Sequence, residues 1–306
     1  MLMDDTGENI RAGLPVYLVN SWLTGKRLVS IPFATLCDPL ITSNEDMKLF
    51  FDAVLKLSEE QKASYIEIKS LKSNQIIQDE RLGYSDFFKH HYLLLEKDPE
   101  MLRKNFHRTC VRQRISRAEK SGLDLRIAED TPDLRSFYRL YLMTRKRLGL
   151  PTQPYRFIES LWYAYKGSNL IQILLALKNG QAIAGLVLFK YKDRVSAEFA
   201  ASDDRFFNLS PNHYLFWQAI RSAYLEGYKI FDFGRTSPNN KTLMDFKDHW
   251  GTNIISLRQF YYPKDKTNTM AGIEDSWKYR MGSYACKKSP DAIQGLIGNI
   301  CYRHLG

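Results

Sequence analysis

Hydrophobic positions along this 306-residue chain switch repeatedly between a period of two and a period near 3.6, so strands and helices alternate. Two short strand-like runs, 14–19 and 27–32, flank Thr24-Gly25-Lys26, which predicts a hairpin. A helix is expected next. Ser43 or Asn44 can cap it, Glu45 and Asp46 suit its positive end, and Met47, Phe50, Phe51, Val54 and Leu55 form one apolar stripe. A strand over 64–68, a short helical stretch near 71–81 and a strand over 86–95 complete the first half. A basic helix is expected over 99–121, closed by Gly122 and followed by a strand over 123–127.

The second half opens with two helices. Leu134, Phe137, Tyr138, Tyr141, Leu142 and Leu148 give the first its buried face, and 154–165 makes the second. Three strands follow, 170–177, 182–191 and 195–201, joined by turns at Asn179-Gly180 and Lys192-Asp193. A helix over 211–226 has Ser210 as N-cap, proline at its first position and Gly227 beyond its end. Strand 229–233, a short helix over 240–249 and strand 254–262 finish the pattern. The order of elements recurs between halves without a residue-level repeat, which points to two copies of one α/β unit, the first shortened or degenerate. The expected divisions are 1–98, a basic connector over 99–127, 128–263, and a tail over 264–306.

Composition adds constraints. Hydrophobic residues at 44% and charged residues at 25% suit a packed core rather than disorder. The net charge of +10 calls for anionic partners such as nucleic acid, phosphorylated intermediates or an anionic membrane surface. Eight cations against two anions between Met101 and Arg126 carry more than half of that excess, with Arg108, Arg112, Arg114 and Arg117 as the candidate phosphate or nucleic-acid patch. The four cysteines show no paired or zinc-type spacing, and the six histidines show no metal motif, so reduced thiols and no metal are expected. The first ten residues lack the pattern of a signal peptide, and apolar runs of about eight residues fall far short of the ~20 needed to span a bilayer. These features predict a cytoplasmic location. Near the C-terminus, Ile293, Leu296, Ile297, Ile300 and Cys301 share a helical face, expected to dock on the body, with lying on a membrane surface as the competing reading.

The candidate chemistry gathers late in the chain. Asp232-Phe233-Gly234 lacks the Gly-rich loop, strand lysine and catalytic loop that a kinase would need upstream. Its own context is a buried strand that ends, turns at glycine and presents Arg235 at the carboxyl end, where open α/β sheets bind ligands. Arg235 offers a planar fork for carboxylate or phosphate, or a structural tie to a neighbouring acid. Lys247 follows on a short helix, placed to stabilise an oxyanion, to hold a phosphate, or merely to be solvated. Glu198 is a candidate base or a partnered structural glutamate within a strand of small residues.

Several segments together resemble the FemAB-like transferases of the GNAT superfamily. They are Ser210-Pro211-Asn212, Leu215-Phe216-Trp217, the run from Phe231 to Ser237, Phe246-Lys247 and Trp250-Gly251, joined upstream by 28–33, 112–122 and 145–151. That resemblance, spanning roughly residues 14–262, implies two tandem GNAT-like domains of mixed α/β (α+β) class. It also implies transfer of an acyl or aminoacyl group to an amine of a peptidoglycan or exopolysaccharide precursor, lipid- or nucleotide-linked. It places Lys247, Glu198 and Asp232 in catalysis and Arg235, Phe246, Asn212, Tyr214, Trp250 and Arg145 against substrate, with Trp250 also read as packing a lid. No permanently bound cofactor is implied, and aminoacyl-tRNA, acyl-CoA and acyl carrier protein all stay open as donor. Two departures bear on this. The first half lacks the helices that usually precede its hairpin, and the coiled-coil insertion of the tRNA-using enzymes is absent. Separately, 206–212 lacks the glycine that usually cradles a CoA pyrophosphate. Contact with tRNA, peripheral contact with the inner membrane face, an N-acyltransferase acting on an amino sugar, and a non-catalytic module binding RNA or anionic lipid remain the alternatives. Oligomeric state is left open.

Overall fold

The computed structural model describes residues 1–3, 6–21, 25–268 and 276–305. The chain divides into two compact units, one of residues 1–89, 256–280 and 300–306, the other of residues 90–255 and 281–299. The expected divisions at 98, 127 and 263 do not coincide with these. The reason lies in the last strand, Asn253–Tyr262, whose residues Arg258 to Tyr262 hydrogen-bond to Ser70 through Ile66 and so join the N-terminal unit.

In the first unit, β1 (Leu2–Met3) pairs with β2 (Ile10–Ala12), while β3 (Tyr17–Ser21) pairs antiparallel with β4 (Gly25–Val29). Thr24 of the expected turn lies outside the described residues. Helix α1 (Asn44–Gln61) carries the chain to β5 (Ile66–Ser70), which lies parallel to β4. The Ser43 hydroxyl accepts the Asp46 amide at 3.2 Å and caps α1, and Met47, Phe50, Phe51 and Val54 pack on Leu28, Ile66 and Ile68. The helical stretch expected near 71–81 shrinks to one turn, Ser73–Gln75. There the Asp38 carboxylate takes the amides of Leu71, Lys72 and Ser73, offering the backbone an alternative to helix. Strand β6 (Gly83–Leu94) follows and is longer than expected.

The second unit starts within β6 and continues through α2 (Pro99–Asn105), a π-helical turn at Arg108–Arg112, α3 (Gln113–Lys120) and β7 (Asp124–Ile127). The single basic helix of the sequence reading is therefore broken. Phe106 adopts extended backbone so that its ring, 2% exposed, can pack edge-on against Trp217 and Trp250. Next come α4 (Thr131–Leu148), α5 (Tyr155–Tyr165), β8 (Ile171–Lys178), β9 (Gln181–Tyr191), β10 (Arg194–Ser202), α6 (Pro211–Leu225), β11 (Ile230–Thr236) and α7 (Lys241–Asp248). Strands β7 to β10 form an antiparallel ladder, and β11 joins β10 in parallel. Alternate residues of β8 feed two cores: Leu174 and Ala176 join Trp217, Ile220 and Phe231, while Ile173 and Leu175 join Phe137, Tyr141 and Trp162. Leu148, expected in the buried face of α4, is exposed, and Leu140 and Thr144 are buried instead.

Helices α8 (Trp277–Lys288) and α9 (Asp291–Leu305) close the chain. The expected docking face of α9 is met only in part, with Ile297 and Cys301 half-buried. Gln294 is fully buried and donates to the Leu150 carbonyl at 2.8 Å, and Gly298 lies so close that a Cβ there would stand 1.8 Å from the Thr152 carbonyl oxygen. Ile293, Leu296 and Ile300 face outward at 47%, 59% and 51% exposure. Among the described residues no helix is long and apolar enough to cross a membrane.

Candidate active site

Strands β10 and β11 pair only from Arg194 opposite Ile230 to Ser196 opposite Asp232, after which the ladder ends although both strands continue. Two local features accompany the parting. On β10, Ala197 sits opposite Leu188 and Phe199 opposite Val187, so Glu198 is an extra residue, a bulge. A one-residue insertion exchanges the two faces of a strand. Val195 and Ala197 accordingly pack with the α3–α6 core, and Phe199 and Ala201 with the α4–α5 core. A strand of regular alternation would instead have kept all four on one face. On β11, Gly234 has φ 74°, a left-handed turn that glycine takes without penalty.

Charged groups converge where the strands part. Asp232, 4% exposed, accepts the Gly234 amide at 2.7 Å through Oδ1 and the Arg194 guanidinium at 2.6 Å through Oδ2, with His90 Nε2 at 3.4 Å. Lys247, 6% exposed at the end of α7, donates to the carbonyls of Gly234 and Arg235, each at 3.0 Å. Burial lowers its pKa from 10.5 to about 8, against the opposing pull of Asp232 and Glu198. Glu198 is an exposed residue of β10. Protein around its carboxyl still raises its pKa by desolvation, the Asp232 charge adds to the rise, and Arg235 and Lys247 oppose it. Burial holds His90 below its ordinary pKa and brings His91 to about 4, so both rings are neutral near pH 7. Asp232 thus faces cations and neutral donors, while Glu198 shares its field.

The structure brings Lys247, Glu198, Asp232 and Arg235 into one electrostatic group and gives the other sequence candidates different surroundings. Trp250 is fully buried, and its ring meets Phe106, Phe216 and Phe233, so its surface is occupied by the core. Phe246 is half-buried against His213 and Phe216, and Tyr214 is buried in the same cluster. Asn212, at the start of α6, donates to the Ser202 hydroxyl at 3.2 Å and ties that helix to the end of β10. Ser210 does not cap α6 through its side chain. It sits at φ 57°, with its hydroxyl buried and unpartnered. Arg145 donates to the Pro151 carbonyl at 3.0 Å and braces the loop after α4.

Arg108, Arg112 and Arg117, with Lys120, Gln113 and Ser116, line an open groove along the π-turn and α3. Arg114 lies outside that lining, and its charge bears on His213. Glu119 does not neutralise the groove, because Arg103 engages it at 3.3 Å.

Sequence reasoning missed His90, Arg194 and a metal-capable trio. His107, Cys110 and His249 place one ligand atom each within 4.8 Å of one another. Their spacing in sequence carries no signal, since His249 arrives from α7. His107 Nδ1 already accepts the Cys110 amide at 3.2 Å, so that nitrogen is engaged. For His90, the available cue was the His90-His91 pair, because adjacent residues of a strand face opposite ways.

Residues 105–248 match the family model of the acetyltransferase (GNAT) domain. That segment, a little under half of the chain, is similar to a GNAT-type acetyltransferase domain. No curated protein matches the sequence. In fold it is similar to FemX, at TM-score 0.60 and 14% identity over 84% of this chain and 90% of that one. It is similar also to L-PGS from Bacillus licheniformis, at TM-score 0.58 and 13% identity over 88% of this chain and 89% of that one. A third likeness is to the C-terminal domain of a putative lysylphosphatidylglycerol synthetase from Agrobacterium fabrum, at TM-score 0.53 and 14% identity over 89% of this chain and 87% of that one. At such identities the likeness concerns the fold, and it extends beyond the matched GNAT segment.

Proposed function

We propose that this protein is a FemAB-like transferase that moves an acyl or aminoacyl group onto an amine of a cell-envelope precursor, with the reaction at the parting of β10 and β11. The observation that carries the reading is the Glu198–Asp232–Arg235–Lys247 group gathered where β10 and β11 part after Ser196 and Asp232, with Lys247 reaching it from α7. The acceptor nitrogen attacks the donor's carbonyl carbon, the carbonyl π pair moves to oxygen, and collapse of the tetrahedral intermediate expels the donor's oxygen or sulfur. The nitrogen sheds a proton in the process. Glu198 is suited to take it, because its raised pKa brings a carboxylate nearer the strength that proton transfer near neutral pH requires. Lys247 holds the Gly234–Arg235 backbone in place and supplies positive charge beside the developing oxyanion. Asp232, braced by Arg194, sustains the charge on Lys247. Catalysis here is chiefly positioning and fixed electrostatics.

The start of α6 supports a donor other than CoA held by its diphosphate. Residues 206–212 contain no glycine, Pro211 offers no N–H, and Ser210 is left-handed. The Arg108–Lys120 groove suits the phosphates of a nucleotide-linked, lipid-linked or tRNA-borne substrate. The likeness to a domain named for lysylphosphatidylglycerol synthesis agrees with transfer of an aminoacyl group, though it concerns fold only. Thermal-shift screening against CoA species, charged tRNA and nucleotide-linked amino sugars tests the reading, since a ligand of the folded state raises Tm. Stabilisation by a nucleotide-linked precursor supports it. Stabilisation by RNA of any sequence, with no acyl product from any donor, favours the non-catalytic binding module.

A further inference from the structure

Helix α9 buries Gln294 and Gly298 most deeply, with Ile297 and Cys301 half-buried beside them. Gln294 is fully buried and bonded to the Leu150 carbonyl, the Ser289 hydroxyl donates to Gln294 at 2.8 Å, and Gly298 admits the Thr152 backbone where any side chain would collide. The apolar positions that would ordinarily seek the core, Ile293 and Leu296, stand 47% and 59% exposed, and Ile300 continues the stripe one turn on at 51%. An amphipathic helix normally turns that stripe to the body, since each such side chain gains about 1.5–3 kcal/mol on burial. The preceding helix also leaves large apolar side chains outside. Cys286 is buried, while Met281 and Tyr284 are 62% and 66% exposed, with Trp277 at 65% one turn earlier on the same helix.

Charge indicates what covers these stripes. From Trp277 to Leu305 the chain carries five Lys or Arg residues and a single acid, Asp291. Of the cations, Arg280, Lys287 and Lys288 are exposed. Exposed Trp, Tyr, Met, Leu and Ile beside cations match an anionic lipid surface, where apolar side chains enter the acyl boundary and lysines meet the headgroups. A second copy of this basic chain would set like charge against like.

We propose that α8 and α9 seat this protein peripherally on an anionic bilayer through Met281, Tyr284, Ile293 and Leu296. The inference does not depend on the transfer reaction, and its test reads membrane binding alone. The full chain is sedimented with vesicles of equal parts phosphatidylglycerol and phosphatidylcholine, and with vesicles of phosphatidylcholine only. Wild type is expected to pellet with the anionic vesicles and to release as salt is raised. Ile293→Glu combined with Leu296→Glu is expected to weaken partitioning by at least about tenfold. Both substitutions lie on the exposed side, so circular dichroism and Tm should be unchanged. Replacing Lys287 and Lys288 by glutamine should lower anionic-vesicle binding while leaving the apolar stripe intact. Equal pelleting of the double glutamate variant, or no pelleting of wild type, overturns the proposal. So does a concentration-dependent dimer that the same variant abolishes, since a second copy would then be the occupant.

Discussion

Replacing Lys247 by methionine separates a catalytic burden from a structural one. Burial takes the Lys247 ammonium from 10.5 to about 8. Each tenfold step in protonation is about 1.4 kcal/mol, so keeping this lysine charged at neutral pH costs the folded state roughly 3 kcal/mol. The methionine removes that cost and leaves the carbonyls of Gly234 and Arg235 without their 3.0 Å donors, a loss of about 1 kcal/mol each. The balance is a gain of roughly 1 kcal/mol, so the variant should unfold no more readily than wild type. The pH dependence has a definite sign. Because the folded pKa lies below the unfolded one, the unfolded chain binds the extra proton between about 8 and 10.5, and wild-type stability should rise with pH across that window. The variant should lack the rise. Transfer should fall by about a hundredfold or more, as when an oxyanion-stabilising group is removed. Urea unfolding at several pH values, alongside turnover, checks both parts. Unchanged turnover removes Lys247 from the mechanism, and a loss of several kcal/mol in stability shows that its charge is not costly where it sits.

Three further expectations follow from the same geometry. The pH–rate profile should fall on its alkaline side near pH 8, where Lys247 loses its proton, and a limb beyond pH 10 would contradict the assignment. Asp232→Asn removes the buried partner of Arg194 and the charge that favours protonated Lys247. Stability should drop by about 3 kcal/mol, and the alkaline limb should move to lower pH, which a purely structural aspartate would not cause. Gly185→Ala puts a Cβ 2.6 Å from the Phe137 ring in the middle of β9, so it should cost about 1–3 kcal/mol in unfolding experiments. An unchanged Tm would show that Phe137 can yield.

Local chemistry made much of this protein legible beforehand. The Ser43 cap and the Met47–Val54 stripe predicted α1, and Asn179-Gly180 and Lys192-Asp193 marked the turns of the β8–β10 meander, because those signals act within a few residues. Asp232, Arg235 and Lys247 were visible as polar residues beside a buried strand and a glycine turn. What escaped depends on distant partners. Glu198 becomes a bulge only in the company of β9, and His90 and Arg194 matter only once Asp232 lies beside them. The break at Phe106 follows from two tryptophans far along the chain. A hydrophobic pattern also shows which face of α9 is apolar without showing which face is buried, and here those faces coincide only in part. The assignment of the last strand to the first unit has the same origin, in hydrogen bonds to β5 that no local signal announces.

The central claim is acyl transfer at the parting of β10 and β11, and mass spectrometry of the acceptor tests it most directly. Nucleotide- and lipid-linked precursors bearing a free amine would be incubated with the purified chain and, in turn, aminoacyl-tRNA, acyl-CoA and acylated carrier protein. The account predicts that one donor adds its acyl mass to the amine of the precursor, and that Lys247→Met, though folded, adds none. Precursors unchanged with every donor, or equal modification by the Lys247 variant, would contradict it.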